Sequence, residues 1–160
     1  MEETVNKAKY SWNTDTKTNP VTGAQATTVT RFSEDIDGAI TFRCYEMQGK
    51  HLDVLISFPE SVDWSRNTYS ATGYSAILAF RLDKGNIYKL STTKSSQKIG
   101  SIDFLYESES YTAFKEIAKS TLFEASIADG TIYEQTISID VSGIQAALKP
   151  VLTLCGKEAL

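Results

Sequence analysis

Three side chains able to do chemistry stand out by their scarcity: the single histidine, His51, and the two cysteines, Cys44 and Cys155. Any imidazole-based acid–base or nucleophilic mechanism must use His51. A zinc site needs about four ligands of the His, Cys, Asp or Glu type, and two cysteines with one histidine do not show the spacing. Carboxylates are plentiful but unorganised. Asp53, Glu60 and Asp63 could be assembled by folding into an acid pair for glycoside hydrolysis, yet nothing in the chain selects them. Glu107, Glu109 and Glu116 flank or lie on a short predicted helix, where acids near the start favour the helix dipole. Asp35-Ile36-Asp37-Gly38 matches part of a calcium loop, but later acidic ligands are missing and a strand follows where a helix belongs, so a solvated turn is expected. Neither a glycine-rich phosphate loop nor a Gly-x-Ser-x-Gly elbow occurs. No catalytic residue, metal or cofactor is therefore assigned, and side-chain chemistry alone does not say what the protein does.

The segment that must position Cys44 and His51 reads as a hairpin over residues 39–58. Ile40, Phe42 and Cys44 share one face of its first strand, and Leu52, Val54, Ile56 and Phe58 share one face of its second. A two-residue Gln48-Gly49 turn would set Cys44 opposite Asp53 and throw the better apolar face to the wrong side. A three-residue Met47-Gln48-Gly49 loop pairs Cys44 with Leu52, Phe42 with Val54 and Ile40 with Ile56, with Gly49 taking the left-handed position. In that register His51 faces Tyr45, away from Cys44, so a Cys–His pair is disfavoured and His51 is an exposed strand residue.

The two cysteines, one in an early strand and one at the end of a late helix, suit a single long-range disulfide. Two buried free thiols in a cytosolic protein are the alternative, because cysteine is often buried in either state. The first residues, Met1-Glu2-Glu3-Thr4-Val5-Asn6, have neither a basic nor an apolar signal region. Either the protein is cytoplasmic, or Met1 replaces a removed export signal and the protein is periplasmic or of the cell envelope; the disulfide suits the second reading.

The chain of 160 residues, 41% hydrophobic, is that of an ordinary globular protein of about one domain. No run approaches the roughly 20 apolar residues of a membrane span. A net charge of -4 and the lack of a Lys/Arg-rich run set nucleic acid aside as a partner. Tyr10, Trp12 and Thr14 have strand spacing, turn formers follow over residues 17–23, and residues 25–32 form the next strand. Residues 75–82 and 87–92 make a second hairpin, in which an Asp83-Lys84-Gly85 loop pairs Phe80 with Tyr88 and Leu78 with Leu90. Residues 99–105 are a short strand, and Ser108 or Ser110 caps a helix to about Lys119 with Tyr111, Phe114, Ile117 and Ala118 on one face. A third hairpin joins residues 121–127 to 132–139 around Asp129-Gly130. Ser142-Gly143-Ile144-Gln145 then forms a capping box, opening a helix that carries Ile144, Ala147, Leu148, Val151 and Cys155 and that Pro150 kinks or ends. The order predicts a mainly β (α+β) fold: one antiparallel β-sandwich-like domain of about seven to nine strands with two short helices late in the chain.

Residues 60–74 place Trp64, Arg66, Tyr69 and Tyr74 among Ser, Asn, Thr and Gly. That mixture suits a protein-contact surface, since Tyr and Trp give large area at low entropic cost. The alternative is a loop whose aromatics tuck back onto the sandwich.

The order of features resembles the accessory proteins associated with bacterial type VI secretion, the TagO or VasI-like family. The matching elements are Trp12, the Phe42-Arg43-Cys44 strand, the Phe80-Arg81-Leu82-Asp83-Lys84-Gly85 hairpin, the helix from Phe114 to Ala118, and Ile139-Asp140-Val141-Ser142-Gly143 leading to Cys155. The resemblance implies an exported, disulfide-linked β domain that serves as a cell-envelope accessory without established catalytic residues. The leading expectation is thus a non-enzymatic periplasmic binding domain that contacts a protein partner. Its rivals are a cytosolic, phage-encoded inhibitor, anti-defence or superinfection-exclusion protein, and a hydrolase with an unrecognised carboxylate site.

Overall fold

Alternation of apolar and polar side chains makes strands of much of this chain, because a half-buried strand needs one face in the core and one in water. The structure, a computed structural model, describes residues 11–34, 38–62, 68–70, 73–104, 109–127 and 135–157. Its strands are β1 (Asn13–Thr18), β2 (Gln25–Phe32), β3 (Ala39–Glu46), β4 (Lys50–Ser57), β5 (Thr68–Ser70), β6 (Gly73–Leu82), β7 (Ile87–Lys94), β8 (Ile99–Asp103), β9 (Leu122–Ile127) and β10 (Gln135–Asp140). Helix α1 (Glu109–Ile117) follows β8, and α2 (Ile144–Ala147) and α3 (Lys149–Cys155) follow β10.

The strands pair in the order β1-β2-β3-β4-β8-β7-β6-β9-β10, every neighbour antiparallel, with β5 attached to β6 off this path. The mainly β, antiparallel class with short helices late in the chain is as expected from the sequence. The hydrogen bonds join all the described strands into one continuous sheet. Its far end returns to its beginning: the Ser33 hydroxyl donates to the Ser138 carbonyl at 2.8 Å, and Gly38 lies against Ile137. Among the described residues one buried cluster fills the interior, with Phe42, Phe58, Phe114 and Phe123 as its largest members. Phe114 of α1 meets Phe42 at 6.0 Å and Phe104 at 4.7 Å between ring centroids, which ties the helix to both β3 and the end of β8.

Both hairpin registers derived from parity are present. Cys44 pairs with Leu52, Phe42 with Val54 and Ile40 with Ile56; Phe80 pairs with Tyr88 and Leu78 with Leu90. The positive-φ positions of the two turns do not all fall on glycine. In the first, Gln48 takes the left-handed conformation (φ 52°) and Gly49 a φ of 125° that suits glycine. In the second, Asp83 (φ 52°) and Lys84 (φ 63°) are left-handed and Gly85 is not. Asp83 is held there because its Oδ1 accepts from the Thr121 amide (3.0 Å), the Thr121 hydroxyl (2.9 Å) and the Leu122 amide (2.8 Å). A tertiary contact with the start of β9 thus offsets the local backbone cost.

Helix α1 buries Tyr111, Phe114 and Ile117 and ends at Ile117, short of Lys119. Ser110 lies inside it, its hydroxyl donating to the Asp103 carbonyl, so it is not the cap; Ser108 is outside the described residues. The predicted C-terminal helix is split at Leu148. Pro150 sits in the first turn of α3, where a missing N–H costs no intrahelical bond. The capping box does not form. Gly143 precedes α2 at φ 79° without a side-chain cap, because Ser142 turns back to Asp140, whose Oδ1 accepts the Ser142 amide at 2.9 Å. Trp12 closes this corner, donating from Nε1 to the Ser142 carbonyl at 2.9 Å while its ring lies 6.4 Å from that of Phe42.

Candidate binding surfaces

Cys44 points inward from β3 and Cys155 lies on the buried side of α3, which packs on β2 and β3. The two form a disulfide with a Cα–Cα separation of 5.8 Å, linking positions 111 residues apart. His51 faces outward, as parity requires: it is exposed, stacks on Tyr45 at 5.1 Å between centroids, and its Nε2 lies 2.8 Å from the Met47 carbonyl oxygen.

The carboxylates proposed for a hydrolytic pair are not brought together. Asp53 lies mid-strand in β4, its side chain only 2% exposed, and both of its oxygens are taken by Arg43, with Nη2 to Oδ2 at 2.6 Å and Nε to Oδ1 at 3.1 Å. Glu60 is tied at the far end of the hairpin through its backbone, which exchanges hydrogen bonds with the Gln135 side chain. Asp63 is outside the described residues. Desolvation raises the Asp53 pKa above the ordinary carboxylate value, against the opposing pull of Arg43. Arg43 in turn lies 4.5 Å over the Tyr45 ring. The row Arg43, Tyr45, His51 and Asp53 is a braced polar surface in which the ion pair holds β3 to β4. Among the described residues, no cluster of three or more His, Cys, Asp or Glu side chains is placed to hold a metal.

Of the residues assigned to a contact surface, Trp64 and Arg66 are outside the described residues, as is the Asp35–Asp37 turn. Tyr69 is placed in β5 opposite Tyr74. Tyr74 is partly buried and packs against the core cluster.

A surface not singled out in the sequence lies around β7. This strand pairs with β6 along its length but with β8 only at Thr93–Ser101 and Lys94–Gly100. Beyond Thr93 the two strands part, and α1 stands across the gap. The result is an open groove of about 710 Å3 lined by Ile87, Tyr88, Lys89 and Leu90 on one side and Thr112 and Ala113 on the other. Tyr88 is braced from behind by Phe80, the rings stacked at 5.1 Å. Around the strand onto the outer sheet face, Ile87 also borders a shallow depression over Ala79, Ser126 and Thr136. Glu124 rims it, accepting from Arg81 Nε at 2.9 Å and Lys84 Nζ at 3.0 Å, and both cations hold its pKa down. Ile77 and Ile87, at outward positions of β6 and β7, are 49% and 66% exposed. An isoleucine at outward parity was the one signal of this surface in the sequence; the parting of β7 from β8 left none.

Comparison of the chain with models of protein families, with curated proteins and with solved structures finds no match.

Proposed function

We propose that the protein is a non-catalytic binding domain of an oxidising compartment, a periplasmic or cell-envelope accessory that contacts another protein. The observation that carries this reading is the Cys44–Cys155 disulfide. A bridge between the first core hairpin and the last helix persists where thiols are oxidised and is rare where glutathione keeps them reduced. The TagO or VasI-like order of features agrees with such a setting and connects the domain to type VI secretion. Support for binding comes from the exposed isoleucines and the open groove beside β7, since apolar side chains rimmed by charge characterise contact surfaces.

The test is fractionation of cells expressing the natural gene, with thiols alkylated at lysis and the protein mass measured. The reading requires the protein in the periplasmic or envelope fraction with neither cysteine alkylated. Cytoplasmic protein carrying two alkylated thiols would overturn it in favour of the cytosolic inhibitor.

A further inference from the structure

The geometry points to the open edge of β7 as the docking site for an extended segment of a partner protein, bonded to the strand through its backbone and carrying a carboxylate beside Lys89. This deepens the protein-binding reading and rests on it.

The backbone supplies the first part of the argument. The Thr93 carbonyl receives the Ser101 hydroxyl of β8 at 3.4 Å, so Thr93 directs its backbone polar groups toward β8. Successive residues of a strand alternate, which places the N–H and C=O groups of Ile87, Lys89 and Ser91 on that same edge. The β8 ladder has ended before it reaches them, and among the described residues nothing else pairs with them there. The opposite wall is a helix, whose own backbone groups are already bonded and cannot complete the ladder. Water can satisfy such groups one at a time, but another extended backbone matches a row of donors and acceptors in register.

The side chains narrow the choice. An added strand would lay alternate residues inward on Tyr88, Leu90 and Ala113, which are apolar, and the others outward beside Ile87 and Lys89. Arg81 and Lys84 share the Glu124 carboxylate, whereas Lys89 is exposed and, among the described residues, engages no anion. The open charge therefore sits on the open edge, and it calls for Asp or Glu in an outward position of the partner. The same residue argues against a second copy of this chain. Antiparallel pairing of two β7 edges centred on this stretch would set Lys89 opposite Lys89, a like-charge pair that opposes association.

The experiment selects binders from a displayed library of random 12-residue peptides on the oxidised protein, then measures their affinity and amide hydrogen exchange. The assignment expects peptides that alternate apolar residues with Asp or Glu and that protect the Ile87, Lys89 and Ser91 amides. Lys89→Glu, on an exposed side chain, should weaken them roughly tenfold or more. Ser91→Pro removes a donor aimed only at the open edge and should weaken them comparably, with the melting temperature confirming that the variant folds. Peptides that protect other amides and ignore both variants would overturn this site while leaving a protein-binding domain. Enrichment of no peptide, or self-association protecting these same amides, would overturn the assignment of a partner segment; the cellular fractionation judges the wider reading separately.

Discussion

Arg43 and Asp53 face each other across the β3–β4 ladder in a two-pronged ion pair, the carboxylate almost fully buried and the guanidinium one-third exposed. Burial raises the Asp53 pKa even so. A carboxyl group whose folded pKa exceeds its unfolded value binds protons more readily in the native state, so its contribution to stability falls as pH rises through that pKa. Arg43 limits this cost at neutral pH. Arg43→Met should therefore destabilise the protein by about 2–3 kcal/mol at pH 7.5, below the usual figure for a broken buried pair because Arg43 is partly solvated. The deficit against wild type should shrink toward pH 4.5 as Asp53 takes up a proton. Urea titrations at the two pH values measure this, and an equal deficit at both would remove Asp53 as the cause.

The disulfide closes a loop between residues 111 apart. In the chain-entropy model a loop of that size is worth about 4–5 kcal/mol. Reduction, or Cys44→Ser, should lower the melting temperature by on the order of 10 °C, and Cys155→Ser by the same amount, since either change removes the one bridge. Equal melting temperatures for oxidised wild type and Cys44→Ser would exclude the cross-link.

Asp83 is held in a left-handed turn by three hydrogen bonds to its Oδ1, and these lower its pKa. A depressed carboxylate pKa contributes stability above the unfolded value, which is lost as pH falls through the folded one. Asp83→Asn keeps an acceptor and tolerates the conformation, whereas Asp83→Val does neither. Melting temperatures at pH 7 should thus rank wild type, Asn, Val in descending order. The gap between wild type and Asn should close below about pH 4, where the unfolded carboxyl titrates; a gap that widens there would refute the account.

Gly38 packs so closely on β10 that an added Cβ would lie 2.7 Å from Ile137 Cγ2 and 3.3 Å from the Ser57 carbonyl oxygen. Gly38→Ala should cost roughly 1–3 kcal/mol through overpacking. Combined with Ile137→Ala, which alone leaves a cavity and costs about 2–5 kcal/mol, it should cost clearly less than the sum. Additive losses in denaturant melts would show that the two sites do not touch.

Part of the architecture was legible because it rests on local constraints. Side-chain alternation in residues 39–58 and 75–92 leaves one register that puts both apolar faces on the same side, and both hairpins adopt it. The same alternation turned Cys44 inward and His51 outward, and helical spacing placed Cys155 on a buried face. By itself the sequence therefore determined the strand faces, the two hairpin registers and the positions from which a disulfide could form.

Tertiary structure alone decided how these pieces meet. The pairings of β4 with β8 and of β6 with β9 join segments far apart in the chain, selected by burial summed over the whole sheet. Ser142 left its predicted capping role because Asp140 and Trp12 engaged its backbone, and Asp83 takes a left-handed conformation because β9 holds its carboxylate. The candidate binding edge belongs to this second category. Ile87, Lys89 and Ser91 read as ordinary outward strand residues; their backbone groups face a groove because β8 follows β4 away from β7 and α1 stands in the space between.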